Sequence, residues 1–437
     1  MKKTAKQIAV RLQRAAFAAF WVGGCVRDFL LGREPEDIDL ATDARPEQVE
    51  KLFKRTIAVG KKFGVIVVVE DGHHFQVATF RSEGDYKDGR HPGKVVFSHA
   101  QADALRRDFT INALFYDPVS DTTHDWTGGE KDLRAKIIRT IGKPEERFGE
   151  DHLRLLRAIR FAAQLDFAIE PETFAAVKAL APKIKAISAE RIRDELLKLF
   201  RPPHAARGLE LLRESGLMEY VLPELSATVM CDQSPNYHPE GTVFNHIRLM
   251  LEQLPPDAPA SLPWAVILHD IGKPPTASVD EKTGAIHFYG HEKIGADMAR
   301  VILNRLRFPK KDVDEIVACV RQHMQFKDVK QMRTATLRRL LLRETFPLEL
   351  DLHKLDCLGS HRSLEYYNFL QEQAEELKKK PSIRPPLLTG ADLIALGIRP
   401  GPNMGTLLHE IREKQLSDEL KTKREAKAWV KKTLKTG

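Results

Sequence analysis

The chain has 437 residues, a hydrophobic fraction of 42% and a formal net charge of +8 at pH 7. A chain of this length holds about two to four ordinary domains, and its apolar content excludes an intrinsically disordered protein. Its pI near 9.1 favours a polyanionic partner, and four cysteines without CxxC spacing argue against a disulfide framework or a cysteine-ligated zinc site.

The N-terminal segment is basic and then apolar. Lys6, Arg11 and Arg14 interrupt its apolar residues, which favours an amphipathic helix over a signal peptide. No run of the sequence approaches the roughly 18 apolar residues of a membrane span. We therefore expect a soluble, cytoplasmic protein without a membrane partner.

Short β-rich runs mix with helical segments up to about residue 140. Residues 20–22, 56–59, 64–69 and 75–80 are predicted strands, and the pair Asp71 and Gly72 predicts a tight turn between two of them. After about residue 143 apolar residues recur every three or four positions, and no further strands are expected. This order predicts an α+β fold, a mixed sheet with flanking helices, followed by an all-α body.

Composition divides the chain into four predicted parts. A loop rich in Pro, Ser and Asn at 231–241 and a Pro-rich stretch at 380–386 separate the helical segments. The predicted parts are a head at 1–142, a helical neck and body at 143–230, an all-α domain at 231–380 and a basic helical tail at 381–437. The lysines of the tail either face solvent or contact RNA, and its composition does not distinguish the two.

Two glycines and two aspartates form the first group of candidate functional residues. Gly23 and Gly24 follow a predicted strand and precede a helix, so their backbone amides can approach a phosphate. Asp37 and Asp39 alternate in a β-like context, which is expected to put both side chains on one face. Two such carboxylates repel unless a cation lies between them, and a pair of Mg²⁺ ions there can support phosphoryl transfer. Alternating aspartates also occur on solvated strands, so both interpretations stay open.

Five motifs follow one another between residues 20 and 200. They are Gly-Gly-Cys-Val-Arg-Asp at 23–28 with Asp-Ile-Asp at 37–39, Arg-Arg-Asp-Phe-Thr-Ile-Asn-Ala at 106–113, Gly-Glu-Lys-Asp-Leu at 129–133, Glu-Asp-His-Leu-Arg at 150–154, and Ser-Ala-Glu-Arg-Ile at 188–192. The series resembles the class II tRNA nucleotidyltransferases (CCA-adding enzymes) and the bacterial poly(A) polymerases. The resemblance implies a polymerase-β-like nucleotidyltransferase head and helical RNA-binding parts after it.

The resemblance also implies roles for the matching residues. Asp37 and Asp39 are the implied catalytic residues and hold two Mg²⁺ ions. The implied nucleotide-binding set is Gly23, Gly24 and Arg27 for phosphates, Arg107 and Asp108 for the ribose, Asp151 and Arg154 for the base, with Asn112 and Arg157 beside them. Taken alone, Asp151 and Arg154 are better explained as an ion pair on one helical face, and Asp108 also fits a helix N-cap.

Two further segments bear on the implied activity. The polar, Gly-rich stretch 82–96 matches the flexible loop that CCA- and A-adding enzymes need for the final A, and its length favours A addition. Gln76 stands where members of the family often carry Glu. Asp37 and Asp39 are still able to hold metal, so Gln76 is left out of the catalytic set.

Histidines and aspartates of the helical region form a second candidate site. The segment Leu-His-Asp-Ile-Gly-Lys at 268–273 resembles the HD phosphohydrolase superfamily. The resemblance implies a divalent metal bound by His246, His269, Asp270 and Asp356, with His291 and His323 completing a second metal site or binding phosphate. A lone histidine in a helix is more often a core residue, and the ligands alone do not establish turnover.

Together these observations predict template-independent addition of CCA to tRNA 3′ ends from CTP and ATP, with release of pyrophosphate. The HD domain is predicted either to hydrolyse phosphoesters in end repair or to serve as a structural body. The alternatives are an A-adding tRNA nucleotidyltransferase, a bacterial poly(A) polymerase and, from another class, an HD phosphohydrolase whose head only binds RNA. The motifs do not choose among CCA, A-only and poly(A) addition, nor do they specify the HD metal, its substrate or the oligomeric state.

Overall fold

The computed structural model describes residues 1–61, 64–84, 94–234, 238–379 and 385–436. The chain divides into two compact units, an N-terminal unit Met1–Ser226 and a C-terminal unit Ala227–Gly437. The finer four-part division remains a prediction.

A mixed seven-stranded sheet forms the centre of the N-terminal unit. The strands of this part are β1 (Ala19–Val22), β2 (Asp39–Thr42), β3 (Thr56–Gly60), β4 (Val65–Glu70), β5 (His73–Thr79), β6 (Arg81–Gly84), β7 (Lys94–Phe97), β8 (Phe115–Asp117) and β9 (Thr122–His124). The sheet order is β3-β4-β5-β2-β1-β8-β9, with β6 and β7 paired separately. Only β2 and β5 run parallel within the sheet; its other pairs are antiparallel. The predicted strands and the mixed sheet are confirmed.

The connections of this sheet follow local sequence chemistry. Asp71 and Gly72, with φ of 50° and 75°, make the predicted tight turn between β4 and β5. Helices flank the sheet at α1 (Lys2–Arg14), α2 (Gly24–Leu30), α3 (Pro46–Leu52), α4 (Ala100–Leu105) and α5 (Gly129–Ala135). Helix α1 buries Ile8 and Leu12 and exposes Lys6 and Arg11, so the predicted amphipathic helix is confirmed.

The rest of the N-terminal unit is almost entirely helical. Its helices are α6 (Pro144–Glu150), α7 (Leu153–Leu165), α8 (Pro171–Leu180), α9 (Ala189–Leu199), α10 (Ala205–Glu214), α11 (Met218–Val221) and α12 (Pro223–Ser226). The expectation of no strands beyond residue 143 is wrong in both units, and in this one β11 (Ala168–Ile169) pairs in parallel with β10 (Ile137–Ile138). The chain reverses after α7 through Asp166 in the left-handed region, which brings this short segment alongside the earlier one.

The C-terminal unit is built from helices. These are α13 (Val243–Glu252), α14 (Ser261–Leu268), α15 (Lys273–Thr276), α16 (His291–Arg305), α17 (Lys310–Gln322), α18 (Thr334–Leu341), α19 (Phe346–Gly359), α20 (Glu365–Lys378), α21 (Gly390–Ile394), α22 (Pro402–Leu416) and α23 (Lys423–Thr436). The exception is a small hairpin of β12 (Ser278–Val279) and β13 (Ile286–His287). Helix α14 is buried from Leu262 to Leu268, and α13, α16, α17 and α19 pack around it.

The basic tail is helical, as predicted, and has a small core of its own. Leu393, Ile411, Ala426 and Val430 are buried against one another, so α21, α22 and α23 form a packed element. The predicted boundary at 380–386 lies mostly outside the described residues.

Two findings concern the whole chain. Within the described residues, no helix combines the length and the apolar character needed to cross a membrane. The four cysteines, Cys25, Cys231, Cys319 and Cys357, are buried and unpaired. The absence of a disulfide among them agrees with the expectation from their spacing.

Candidate functional site

Asp37 and Asp39 lie where the chain enters β2. Asp37 is exposed, Ile38 is buried and Asp39 is partly buried, so the two carboxylates lie on the same side of the chain. The Oδ1 atom of Asp39 is buried and has no hydrogen-bond partner among the described residues. Burial, and then the charge of Asp37, raises the pKa of Asp39 to about 6. An orphaned carboxylate oxygen beside a second carboxylate fits a divalent cation.

The Gly-Gly turn adjoins this pair directly. Val22 pairs with Asp39 across β1 and β2, so Gly23 follows at the level of the carboxylates. Gly23 has φ of 78°, and a Cβ there would lie 3.1 Å from Nη1 of Arg107. The position therefore requires glycine for its backbone conformation and for the close approach of a guanidinium.

Arg27, one turn into α2, is buried and firmly held. Its Nη1 donates to Oδ1 of Asn112 at 2.8 Å, and its Nε donates to Asp28 at 2.8 Å. Its Nη2 lies 3.5 Å from where a Cβ of Gly24 would stand. The guanidinium is thus fixed beside the glycine turn, as a phosphate-binding group requires.

Asp103, which the sequence analysis missed, positions Arg107. Its side chain is 1% exposed. Oδ1 accepts from Arg106 at 2.9 Å, and Oδ2 accepts from Arg107 Nη2 at 3.0 Å. Although burial opposes it, the charges of these two arginines hold the pKa of Asp103 below its usual value. Its spacing of three and four residues before the arginines was the available signal.

Asp108 is bound on both carboxylate oxygens. Oδ1 accepts from the amide of Phe109 at 2.8 Å and from Asn112 Nδ2 at 3.2 Å, and Oδ2 accepts from Arg157 Nε at 2.8 Å. Although burial opposes it, the charge of Arg157 holds the pKa of Asp108 well below its usual range. The alternative of an N-cap is wrong, because the 3-10 helix Thr110–Asn112 begins after Phe109 and has no side-chain cap.

The motif at 129–133 packs against the motif at 106–113. A Cβ on Gly129 would lie 2.2 Å from the carbonyl oxygen of Thr110, so only glycine fits there. Asp132 accepts from the hydroxyl of Thr110 at 2.8 Å and from Arg139 at 3.1 Å. This motif is therefore a scaffold for residues 108–112.

Asp151 and Arg154 do not share a helical face, which corrects the expectation. Helix α6 ends at Glu150 and α7 begins at Leu153, so Asp151 lies in an extended break, with φ of −144°. Asp151 instead binds Arg191, at 3.2 Å and 2.6 Å. Arg154 binds Glu150 and the carbonyl oxygens of Arg147 and Arg106, at 2.9 Å and 3.2 Å. Arg191 belongs to the motif at 188–192, but that motif does not reveal its contact with Asp151.

Two other predictions concern Gln76 in β5 and the segment that follows this strand. Residues 82–84 and 94–96 belong to β6 and β7, so the expected loop is shorter at both ends, and the rest of it lies outside the described residues. Val77 of β5 pairs with Leu40 of β2. Gln76 and Asp39 are the residues immediately before them. Gln76 and Asp39 therefore lie on the same face of neighbouring strands.

All six predicted histidines and aspartates of the C-terminal unit come together. They form two groups that we call position 1 (His246, His269 and Asp356) and position 2 (Asp270, His291 and His323), each with ligand atoms within 4.8 Å of one another. His246 Nε2 lies 3.1 Å from Asp356 Oδ1, and His291 Nε2 lies 3.1 Å from His323 Nε2. His269 Nε2 is buried without a hydrogen-bond partner among the described residues. Such a set of imidazoles and carboxylates fits a divalent metal.

Two neighbours of this cluster, Glu240 and Lys273, were missed. Glu240 Oε1 lies 2.7 Å from His246 Nδ1 and 2.8 Å from His238 Nδ1. Lys273 Nζ lies 2.6 Å from Asp270 Oδ2 and 2.6 Å from Gln233 Oε1. Glu240 comes from the irregular segment before α13, where no periodicity gives its direction, whereas Lys273 stood within the quoted HD motif.

Models of protein families match three parts of the chain. A poly A polymerase head domain matches residues 19–139, and a probable RNA- and SrmB-binding site of polymerase A matches 166–228. An HD domain matches residues 238–358.

Similar proteins span the chain to different extents. The A-adding tRNA nucleotidyltransferase of Deinococcus radiodurans is 34% identical over 94% of both chains. The CCA-adding enzyme of Streptococcus mutans is 33% identical over 95% of this chain and 93% of its own. The CCA-adding enzyme of Geobacillus stearothermophilus is 46% identical over 220 residues, so the match spans about half of that relative, 54%.

A solved structure matches over nearly the whole length. It is the crystal structure of the Bacillus stearothermophilus CCA-adding enzyme in complex with CTP. The TM-score is 0.76 and the identity 31%, over 99% of this chain and 97% of that one.

Proposed function

Since the chain belongs to the family of tRNA nucleotidyltransferases and bacterial poly(A) polymerases, we propose that it completes the CCA end of tRNA. It adds C and A from CTP and ATP to the 3′ end without a nucleic-acid template and releases pyrophosphate. The observation that carries the proposal is the Asp37–Asp39 pair, with an orphaned buried oxygen beside the Gly23 turn. Intact carboxylates there also argue against a head that only binds RNA.

The catalytic group is a carboxylate pair that fits Mg²⁺. When bound by Asp37 and Asp39, two Mg²⁺ ions supply charge for the triphosphate and make the RNA 3′-hydroxyl more acidic. Gly23, Gly24 and Arg27 bind phosphate oxygens in this proposal. The fixed guanidinium of Arg27 supports that role, because it needs no reorganisation when the nucleotide arrives.

The sugar and the base are bound by the motifs that follow. Arg107 and Asp108, with Asn112 and Arg157 holding Asp108 in place, contact the ribose. Asp151 and Arg154 present an acceptor and donors to the base edge, and each has its own partner, Arg191 or Glu150. Each side chain is thus oriented by its own partner and not by the other, which supports a role as a protein template for C and then A.

The proposed partners follow from charge and family. A-form RNA is bound mainly through its backbone and shape, for which a net charge of +8 is suited. We propose tRNA, ATP and CTP as partners and the cytoplasm as the location.

Incorporation assays distinguish CCA addition from A-only addition and from poly(A) synthesis. Purified protein and Mg²⁺ are incubated with tRNA transcripts ending before CCA, after C and after CC, with CTP, ATP or both, and the products are sequenced. Growth that stops at CCA is the expected result. A added only to the CC-ended transcript identifies an A-adding enzyme, an unbounded A tail identifies a poly(A) polymerase, and no incorporation refutes the proposal.

A second activity is supported by the cluster in the C-terminal unit. The six residues of positions 1 and 2 fit divalent metal, and we propose hydrolysis of a phosphoester such as a terminal 2′,3′-cyclic phosphate. Asp37→Ala is expected to abolish incorporation and spare hydrolysis, and His269→Ala to do the reverse. Incorporation that survives Asp37→Ala would contradict the assignment of the head.

A further inference from the structure

Three of the four histidines in the cluster are held in the same way. The Nδ1 atoms of His269, His291 and His323 bind the backbone carbonyl oxygen three residues earlier, at 2.8 Å, 2.8 Å and 2.7 Å. In a neutral imidazole each therefore carries its proton on Nδ1 and turns the lone pair of Nε2 toward the cluster.

His246 is held differently from the others. Its Nδ1 faces Oε1 of Glu240 at 2.7 Å, a carboxylate with a side chain only 5% exposed. This separation is an ion-pair distance, and the other ring nitrogen of His246, Nε2, lies 3.1 Å from Asp356 Oδ1. Glu240 therefore approaches the imidazole at the nitrogen opposite the one that faces Asp356, which places it to orient the ring.

The charges around the two positions are unequal. Position 1 has the carboxylate of Asp356 and, behind His246, the carboxylate of Glu240. Position 2 has one carboxylate, Asp270, whose Oδ1 lies 3.4 Å from His291 Nε2 and 3.7 Å from His323 Nε2. Its Oδ2 is held by the ammonium of Lys273 at 2.6 Å and lies 3.1 Å from His269 Nε2. Lys273 is buried, so its charge offsets that of Asp270 with little screening. A cation at position 2 therefore has a carboxylate that is already paired with an ammonium, whereas a cation at position 1 gains from Asp356 and from Glu240 beside His246.

We propose that position 1 binds divalent cations more tightly than position 2, and that Glu240 is the positioning residue responsible. A carboxylate behind a ligating imidazole fixes its tautomer and ring orientation and raises its basicity. The inference rests on the metal-binding role proposed for the cluster.

The test measures Mn²⁺ binding to the full chain with the head site removed by Asp37→Asn and Asp39→Asn. Free Mn²⁺ is followed by electron paramagnetic resonance during titration of the metal-free protein. We expect a tight and a weak class of site, and we expect Glu240→Gln to weaken the tight class about 10- to 100-fold while the weak class is unchanged.

Glu292→Gln is the matched control. Glu292 lies beside position 2, 4.0 Å from Nδ1 of His291, which already binds a backbone carbonyl. Its removal is expected to leave both classes unchanged. The visible absorption of bound Co²⁺ provides a second readout, and its bands should shift with Glu240→Gln but not with the control.

Three results would overturn the inference. They are an unchanged tight class in Glu240→Gln, an equal loss in both classes, and a single class in the unsubstituted cluster. If the cluster binds no Mn²⁺ at all, the proposed metal role itself fails along with the inference. Circular dichroism of the metal-free variants separates these results from a loss of folding.

Discussion

At Asp103 one buried carboxylate holds Arg106 and Arg107, and Arg107 approaches the Gly23 turn. Removing one partner of a buried ion pair leaves the others unpaired, which costs about 3 kcal/mol where the pair is well desolvated. The arginines here are 21% and 18% exposed, so we expect Asp103→Asn to cost about 2 kcal/mol. Because Arg107 then loses its anchor, the KM for nucleotide should rise more than about tenfold.

Denaturant unfolding and steady-state incorporation measure the two effects. Glu130→Gln is the control, since its pair with Arg134 is exposed and worth less than about 0.5 kcal/mol. The two arginines hold the pKa of Asp103 below its unfolded value, against the effect of burial. Its stabilising contribution is therefore present above about pH 4 and is lost as the pH falls through the folded pKa. Equal stability of Asp103→Asn and wild type at pH 7 would contradict this role.

Residues that belong to sequence motifs could be predicted, whereas residues whose role depends on tertiary contacts could not. Asp37, Asp39 and the six residues of the cluster were identified because motifs carry them in order. Glu240 acts through burial and contact, which the sequence does not display, whereas for Asp103 only its spacing to Arg106 and Arg107 was visible. Asp108 is an intermediate case, because Asn112 and Arg157 were named beside it but not as its hydrogen-bond partners.

The turn from β1 into α2 is the element on which the phosphate-binding proposal depends. Gly23 and Gly32 both have positive φ, 78° and 71°, but only Gly23 has a neighbour within 4 Å of an added Cβ. Alanine at either position costs about 1–2 kcal/mol in backbone conformational energy. We expect only Gly23→Ala to displace Arg107 and lower kcat/KM, by more than about tenfold.

Gly32→Ala is therefore the control for backbone strain. Unfolding by urea should give similar losses of stability for the two variants, and incorporation kinetics should separate them. An equal loss of kcat/KM in both would assign the effect to strain in α2 and not to the contact with Arg107.

The break between α6 and α7 sets the direction of Asp151. Because Asp151 is outside both helices, its contact with Arg191 from α9 is what fixes its carboxylate. We expect Arg191→Ala to raise misincorporation of the wrong nucleotide on CC-ended tRNA about tenfold. Arg193→Ala is the control, as Arg193 pairs with its neighbour Asp194 on the same helix. Single-nucleotide competition assays measure the ratio, and unchanged selectivity would contradict the template role of Asp151.

Elements determined by residues close together in sequence were predicted. Elements that depend on contacts between residues far apart in sequence were not. The alternation in β4 and β5, the turn at Asp71 and the apolar face of α1 are all readable over a few residues. The β10–β11 pair depends on residues about 30 apart, and the break at Asp151 depends on a partner from α9. Motif spacing alone suggested one continuous helix there.

At the scale of the molecule, two units with separate cores hold the two candidate sites. Val22, Phe80 and Phe115 lie in a core cluster of the N-terminal unit, and Phe326, Leu370 and Leu416 lie in one of the C-terminal unit. The full-length relatives span both units, which confirms the family resemblance that the motifs of the head and the HD segment had indicated. Each site can therefore be removed by substitution within its own unit.

Metal binding provides a test of that separation. A ligand that binds only the folded state stabilises it by RT ln(1 + [L]/Kd), about 2.7 kcal/mol at a concentration 100 times Kd. Mn²⁺ at such an excess over the affinity of position 1 should slow amide exchange in α13, α14 and α19, which carry its ligands or adjoin them. Hydrogen exchange with mass spectrometry measures this peptide by peptide.

Two variants identify the origin of that protection. His269→Ala removes a ligand of position 1 and should abolish the Mn²⁺-dependent protection of these helices, while Asp39→Asn should leave it intact. In the peptides around β1 and β2, where Asp39 lies, Asp39→Asn should abolish the Mn²⁺-dependent protection and His269→Ala should leave it intact. If the protection of α14 disappeared in Asp39→Asn, the cation would be acting on the C-terminal unit through the head. That result would contradict metal binding by the cluster itself.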